Sequence, residues 1–99
     1  MQDKVMTEDA MAAVYVGIDV CKERLDVYLH PLARHLAVAN DPGGWRRLKR
    51  VLADHTVERV VMESTSKYHR AAHRSLSAAG LEVAVINPLR ASFRTMSIR

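Results

Sequence analysis

Apolar and polar positions alternate without a break over residues 14–20, with Val14, Val16, Ile18 and Val20 on one side and Tyr15, Gly17 and Asp19 on the other. A period of two is the signature of a strand with one buried face. Leu25, Val27 and Leu29 repeat it against Asp26, Tyr28 and His30. Only Cys21-Lys22-Glu23-Arg24 separates the runs, which predicts an antiparallel hairpin. Pro31 closes the second strand, and residues 34–39 (RHLAVA) read as a third, short one.

The period then changes. Asn40-Asp41-Pro42-Gly43-Gly44 is a stop-and-start signal, in which Asp41 caps a helix and Pro42 takes its first position, where a missing N–H costs nothing. Trp45, Leu48 and Leu52 form the apolar stripe of that helix, surrounded by Arg46, Arg47, Lys49 and Arg50. The ordinary role of such cations is a solvated helix face, and contact with nucleic-acid phosphates is the alternative. Residues 58–64 (ERVVMES) form an apolar run ending on Glu63, and Ser64, Thr65 or Ser66 caps the next helix. Its predicted stripe is Tyr68, Ala72, Leu76 and Ala79, and Gly80 stops it. Residues 82–86 (EVAVI) give the last strand, closed by Asn87-Pro88. Strands joined by short links pair antiparallel, and strands joined through helices pair parallel. The expected fold is α/β, a mixed five-stranded sheet with three antiparallel strands followed by alternating helix and strand.

Composition narrows the setting. The 99 residues allow one domain with a modest core, and 48% hydrophobic with 26% charged residues is a soluble mixture. No apolar run approaches the roughly 20 residues of a membrane span. Residues 1–13 carry Asp3, Glu8 and Asp9 and lack an apolar h-region, so they read as a flexible leader, with Met6 and Met11 as alternative starts. Cys21 is the single cysteine, which excludes an internal disulfide or a cysteine-based zinc cluster and suits a reducing, cytoplasmic setting. The formal net charge is +4, and its distribution is uneven: Lys67, Arg70, Arg74, Arg90, Arg94 and Arg99 follow Glu63, with Glu82 the one acid among them. A polyanionic partner fits that distribution.

Asp19 and Glu63 share one setting. Each ends an apolar strand just before a polar loop, the place where ligands gather in α/β sheets. If the two strands are neighbours, the carboxylates repel unless a cation lies between them. Oxygen ligands with open water positions suit Mg²⁺ or Mn²⁺, and such a pair serves attack on a phosphodiester. The plainer alternative gives Asp19 to the hairpin backbone or Lys22, and Glu63 to the cap of the following helix. Lys22 and Lys67, each just past an acid, balance the site or touch phosphate. Asp26 shares the hairpin face with Asp19, where a surface role is expected. His69 and His73 stand four apart, as in a helical zinc pair, but Arg70 follows His69 and no third ligand is evident. Ser64, Thr65 and Ser66 have no positioned base that would make a nucleophile.

Several segments together carry a resemblance. Val16-Gly17-Ile18-Asp19-Val20-Cys21-Lys22, Asn40-Asp41-Pro42-Gly43-Gly44, Met62-Glu63-Ser64-Thr65-Ser66-Lys67-Tyr68, Ala79-Gly80-Leu81 and Val85-Ile86-Asn87-Pro88 resemble, in order and spacing, the N-terminal domain of bacterial DEDD insertion-sequence transposases. That domain is similar to the RuvC Holliday-junction resolvase, of ribonuclease H-like fold, and the resemblance covers residues 14–90. It implies a DNA recombinase with four metal-binding acids, a separate serine-bearing domain and a structured guide RNA. Asp19 matches the first acid and Glu63 the second, so catalytic and metal-binding roles fall on both, with Mg²⁺ or Mn²⁺ as cofactor. Lys22, Arg46, Arg47, Lys67, Arg70 and Arg90 are the candidate nucleic-acid contacts. No Asp follows Asp54, and residues 91–99 (ASFRTMSIR) depart from the family's continuation as a divergent basic tail. The expectation is therefore a truncated domain, catalytically incomplete alone, that forms a homo-oligomer. Two rival functions are an actin-like nucleotide-binding domain and a non-catalytic nucleic-acid-binding or dimerisation remnant. The first needs glycines after the acid for backbone approach to phosphate, where this chain has Lys22, Glu23 and Arg24.

Overall fold

The strands and helices fall where the two periods put them. In the computed structural model residues 13–87 are described; the leader before residue 13, Arg90 and the tail 91–99 lie outside them. Strands β1 (Ala13–Val20), β2 (Arg24–His30) and β3 (Arg34–Ala39) are followed by helix α1 (Pro42–Leu52) and strand β4 (Thr56–Glu63). A 3-10 turn (Lys67–His69) then leads into helix α2 (Arg70–Ala78) and strand β5 (Val83–Ile86). The sheet order is β3-β2-β1-β4-β5. Pairings β1–β2 and β2–β3 are antiparallel, and β1–β4 and β4–β5 are parallel. This is the mixed five-stranded α/β sheet of a ribonuclease H-like fold, as expected.

One sheet face carries the core. Val14, Val16, Ile18, Leu25, Val27, Leu29, Val60 and Met62 are buried from the strands, together with Leu48 and Leu52 of α1 and Ala72 and Leu76 of α2. Both helices thus cover the same face, and Lys49 Nζ links them by donating to Ser75 Oγ at 2.8 Å. Helix α1 begins as predicted, with Asp41 Oδ1 accepting the Gly44 N–H at 2.8 Å. Burying each such aliphatic side chain contributes about 1.5–3 kcal/mol.

The second helix departs from its predicted stripe. Ser66 Oγ accepts the Tyr68 N–H, so the first turn is a tight 3-10 turn rather than α. Three residues per turn in place of 3.6 rotate Tyr68 off the line of Ala72 and Leu76, and Tyr68 is 42% exposed. Ala79 is exposed as well, because the helix has ended there. Gly80, at φ 92°, then reverses the chain. Its N–H donates to Ser77 O at 2.9 Å, and the Leu81 N–H donates to Leu76 O at 3.3 Å. That pair of bonds is the Schellman closure that glycine permits.

Among the described residues, nothing covers the opposite sheet face. Tyr15, 49% exposed, and the half-buried Gly17, Tyr28 and Val61 lie on it.

Candidate functional site

Register decides what gathers at the carboxyl end of β1. Asp19 pairs with Glu63 across the parallel β1–β4 ladder and with Asp26 across the antiparallel β1–β2 ladder. Neighbouring strands are about 4.8 Å apart, so the three acids form one row on the uncovered face. A groove of about 640 Å³ runs along the row, lined also by Gly17, Tyr28 and Val61. Gly17 opens its middle: a Cβ there would meet nothing within 4 Å.

The plainer roles for the two acids are absent from the described residues. Asp19 and Glu63 are exposed and make no hydrogen bond or ion pair through their carboxylates there. Serines do the local capping instead: Ser64 Oγ donates to Ser66 O at 2.9 Å, and Ser66 caps the turn. The hairpin closes through its own backbone, Cys21 N–H donating to Arg24 O at 2.9 Å. Asp26 differs, since Arg24 Nε lies 3.1 Å from its Oδ1. No group of three or more His, Cys, Asp or Glu gathers closely enough among the described residues to hold a metal ion. The donor set at the row is therefore the Asp19–Glu63 pair, with Asp26 engaged next to it. Two exposed carboxylates with open water positions are the hard-oxygen donors that Mg²⁺ and Mn²⁺ accept.

The candidate cations separate into two groups. Lys22, Lys67 and Arg70 line a recess with Trp45, Tyr68 and Arg74. Arg46 and Arg47 line another with Arg50, near Gly43 and Gly44. Arg90 lies outside the described residues. His69 donates from Nδ1 to Ser66 O at 2.8 Å and so serves the turn.

Of two further members of these sites, Asp26 lies on the hairpin face of Asp19 as the sequence reading has it, there with a surface role, and Asn40 escapes that reading. Asp26 joins the acid row only through hairpin register, which the equal alternation of both strands foreshadows. Asn40 ties the recess together: its Nδ2 donates to Cys21 O and Tyr68 O at 3.0 Å each, and its Oδ1 accepts from Trp45 Nε1 at 2.9 Å. Its sequence signal is its place before the capping Asp41, at the head of the Asn40-Asp41-Pro42-Gly43-Gly44 segment.

No curated protein gives a significant match to the chain. Residues 16–99 match the family model described as transposase, of the DEDD type named for IS110. That match takes in the acid row, both helices and all five strands except the first residues of β1, and the chain belongs to the DEDD transposase family.

Proposed function

We propose that the chain serves DNA transposition through a divalent-metal site in which Asp19 and Glu63 are the protein ligands. The family is one of transposases, and the observation that carries the finer reading is the direct Asp19–Glu63 register on parallel strands. When bound, Mg²⁺ or Mn²⁺ supplies Lewis acidity and orientation for attack on a DNA phosphodiester. The carboxylates themselves hold and orient the ion on the open face, and the groove beside them leaves room for a strand. Two carboxylates leave most of a six-oxygen shell to water. The pair alone therefore holds the ion weakly, and the described residues by themselves perform no strand transfer.

DNA is the proposed substrate, with Lys22, Lys67 and Arg70 on one basic recess and Arg46 and Arg47 on the other meeting phosphates. A structured guide RNA and a second copy of the chain complete the proposed partners. The exposed Tyr15 and half-buried Val61 of the uncovered face support the latter.

Titration of Mn²⁺ followed by the electron paramagnetic resonance of the free ion tests the site. Loss of bound ion in Asp19→Asn/Glu63→Gln, with retained circular dichroism, is the expected result. Equal binding by wild type and the double variant would remove the metal reading. Salt-dependent nucleic-acid binding that persists without these acids would then leave the non-catalytic binding remnant.

A further inference from the structure

A second groove shares no residue with the acid row. It has a volume of about 450 Å³, and Lys22, Trp45, Lys67, Tyr68, Arg70 and Arg74 line it. These residues come from three stretches far apart in sequence: the β1–β2 turn, the start of α1, and the 3-10 turn running into α2. Asn40 stitches all three through its bonds to Cys21 O, Tyr68 O and the Trp45 indole. The side chain that joins the walls thus has partners for both its amide nitrogen and its oxygen.

Its charge is one-sided. Among the described residues the ion pairs are Arg24–Asp26 and Arg59–Glu82, so Lys22, Lys67, Arg70 and Arg74 all lack a carboxylate partner there. Asp41, the one acid on the groove wall, is turned to the Gly44 N–H as a helix cap. Four unpaired cations round one recess repel one another and call for a polyanion. The groove adds aromatic surface to that charge. Tyr68 is 42% exposed and has no aromatic partner among the described residues. Trp45 is half-buried beside it in the same lining.

Cations that track a backbone and an exposed ring that takes a base are together the chemistry of single-stranded nucleic-acid binding. A duplex would use only the cations, because its bases already stack on one another. We infer that this groove binds unpaired nucleotides, with Tyr68 stacking on a base and Lys22, Lys67, Arg70 and Arg74 holding the flanking phosphates. The inference rests on the nucleic-acid role proposed for this recess and stands apart from the metal reading, since neither Asp19 nor Glu63 lines the groove.

Trp45 is the only tryptophan of the chain, so its fluorescence reports directly on the groove. Titrations with an oligothymidylate, an oligouridylate, an abasic strand and a blunt duplex of equal length test the inference. Trp45 quenching by a base-bearing single strand, tighter than by the duplex and the abasic strand, is the expected result. The tighter of the DNA and RNA strands identifies the source of the unpaired nucleotides. Tyr68→Ala should weaken that binding by about 5- to 150-fold, the range of one lost base stack, while Tyr68→Phe keeps the ring and the affinity. Arg70→Ala with Arg74→Ala should lower the slope of log K against log salt by about 1.4, for two single-strand phosphates. Duplex binding as tight as single-strand binding, or wild-type affinity in a folded Tyr68→Ala, would overturn the inference. So would loss of quenching in Asp19→Asn/Glu63→Gln, which would move the strand to the acid row.

Discussion

The Trp45 indole donates its Nε1–H to Asn40 Oδ1 at 2.9 Å, fixing the start of α1 to the residue that also holds Cys21 O and Tyr68 O. One amide therefore joins the hairpin turn, the first helix and the approach to the second. Asn40→Ala strands a half-buried indole N–H and two carbonyls at once. Leaving a buried polar group unsatisfied costs about 1–3 kcal/mol, and that loss is expected in urea unfolding. Asn40→Asp keeps the acceptor for Trp45 but sets a carboxylate oxygen against the Cys21 and Tyr68 carbonyls, and should be destabilised as well. A variant within experimental error of wild type would show that the three segments hold together without Asn40.

Adjacent glycines give opposite expectations. A Cβ on Gly44 would lie 1.8 Å from Ala39 O and 2.6 Å from Ala39 C, all backbone that cannot turn aside. A Cβ on Gly43 meets only Asp41 Oδ1 at 3.5 Å and Arg46 Nη2 at 3.8 Å, ordinary contacts. Gly44→Ala must push α1 off β3 and should cost at least the 1–3 kcal/mol typical of overpacking, approximately. Gly43→Ala, in the first turn of a helix, should be neutral or stabilising by up to about 1 kcal/mol. Thermal unfolding of the two variants checks the contrast, and similar melting temperatures would refute it.

Much of this was legible because period-two and period-3.6 patterns are local properties of the chain. The alternation of Val14, Val16, Ile18 and Val20 places β1 and its buried face, and Asp41-Pro42 marks the start of α1 to the residue. Tyr68 was misplaced because a serine bond at Ser66 tightens one turn, a competition that apolar spacing does not record. The Asp19–Glu63 register depends on which strands become neighbours, a long-range outcome. Its side-by-side placement follows from the sequence only once parallel β1–β4 pairing is assumed. Asp26 follows from local hairpin register, whereas the role of Asn40 depends on three distant segments meeting.

Arg24 governs whether Asp26 can join the proposed ion site. The pair is solvent-exposed, with side chains 60% and 44% accessible, so its own contribution to stability is small, about 0–1 kcal/mol. Its effect on the acid row is larger in kind. With Arg24→Gln, the Asp26 carboxylate loses its cation and stands free opposite Asp19. Mn²⁺ affinity should then rise severalfold, and Arg24→Gln/Asp26→Asn should return it to the wild-type value. Unchanged affinity in Arg24→Gln would confine the proposed site to Asp19 and Glu63.

The Asp19–Glu63 pair should also show itself in stability, with opposite signs in chelator and in metal. Like charges directly opposed on neighbouring strands destabilise a sheet by about 0.2–1 kcal/mol, and solvent exposure of both groups puts this pair toward the lower end. Asp19→Asn removes one charge while keeping the side chain's size, so in chelator it should be slightly more stable than wild type. A bound ion stabilises the folded state by mass action, roughly 1.4 kcal/mol at tenfold excess over its dissociation constant. Wild type gains that term, and Asp19→Asn loses most of it. The order of the two melting temperatures should therefore invert between chelator and saturating Mn²⁺. A fixed order in both media would mean that repulsion across the β1–β4 ladder is not relieved by a metal ion.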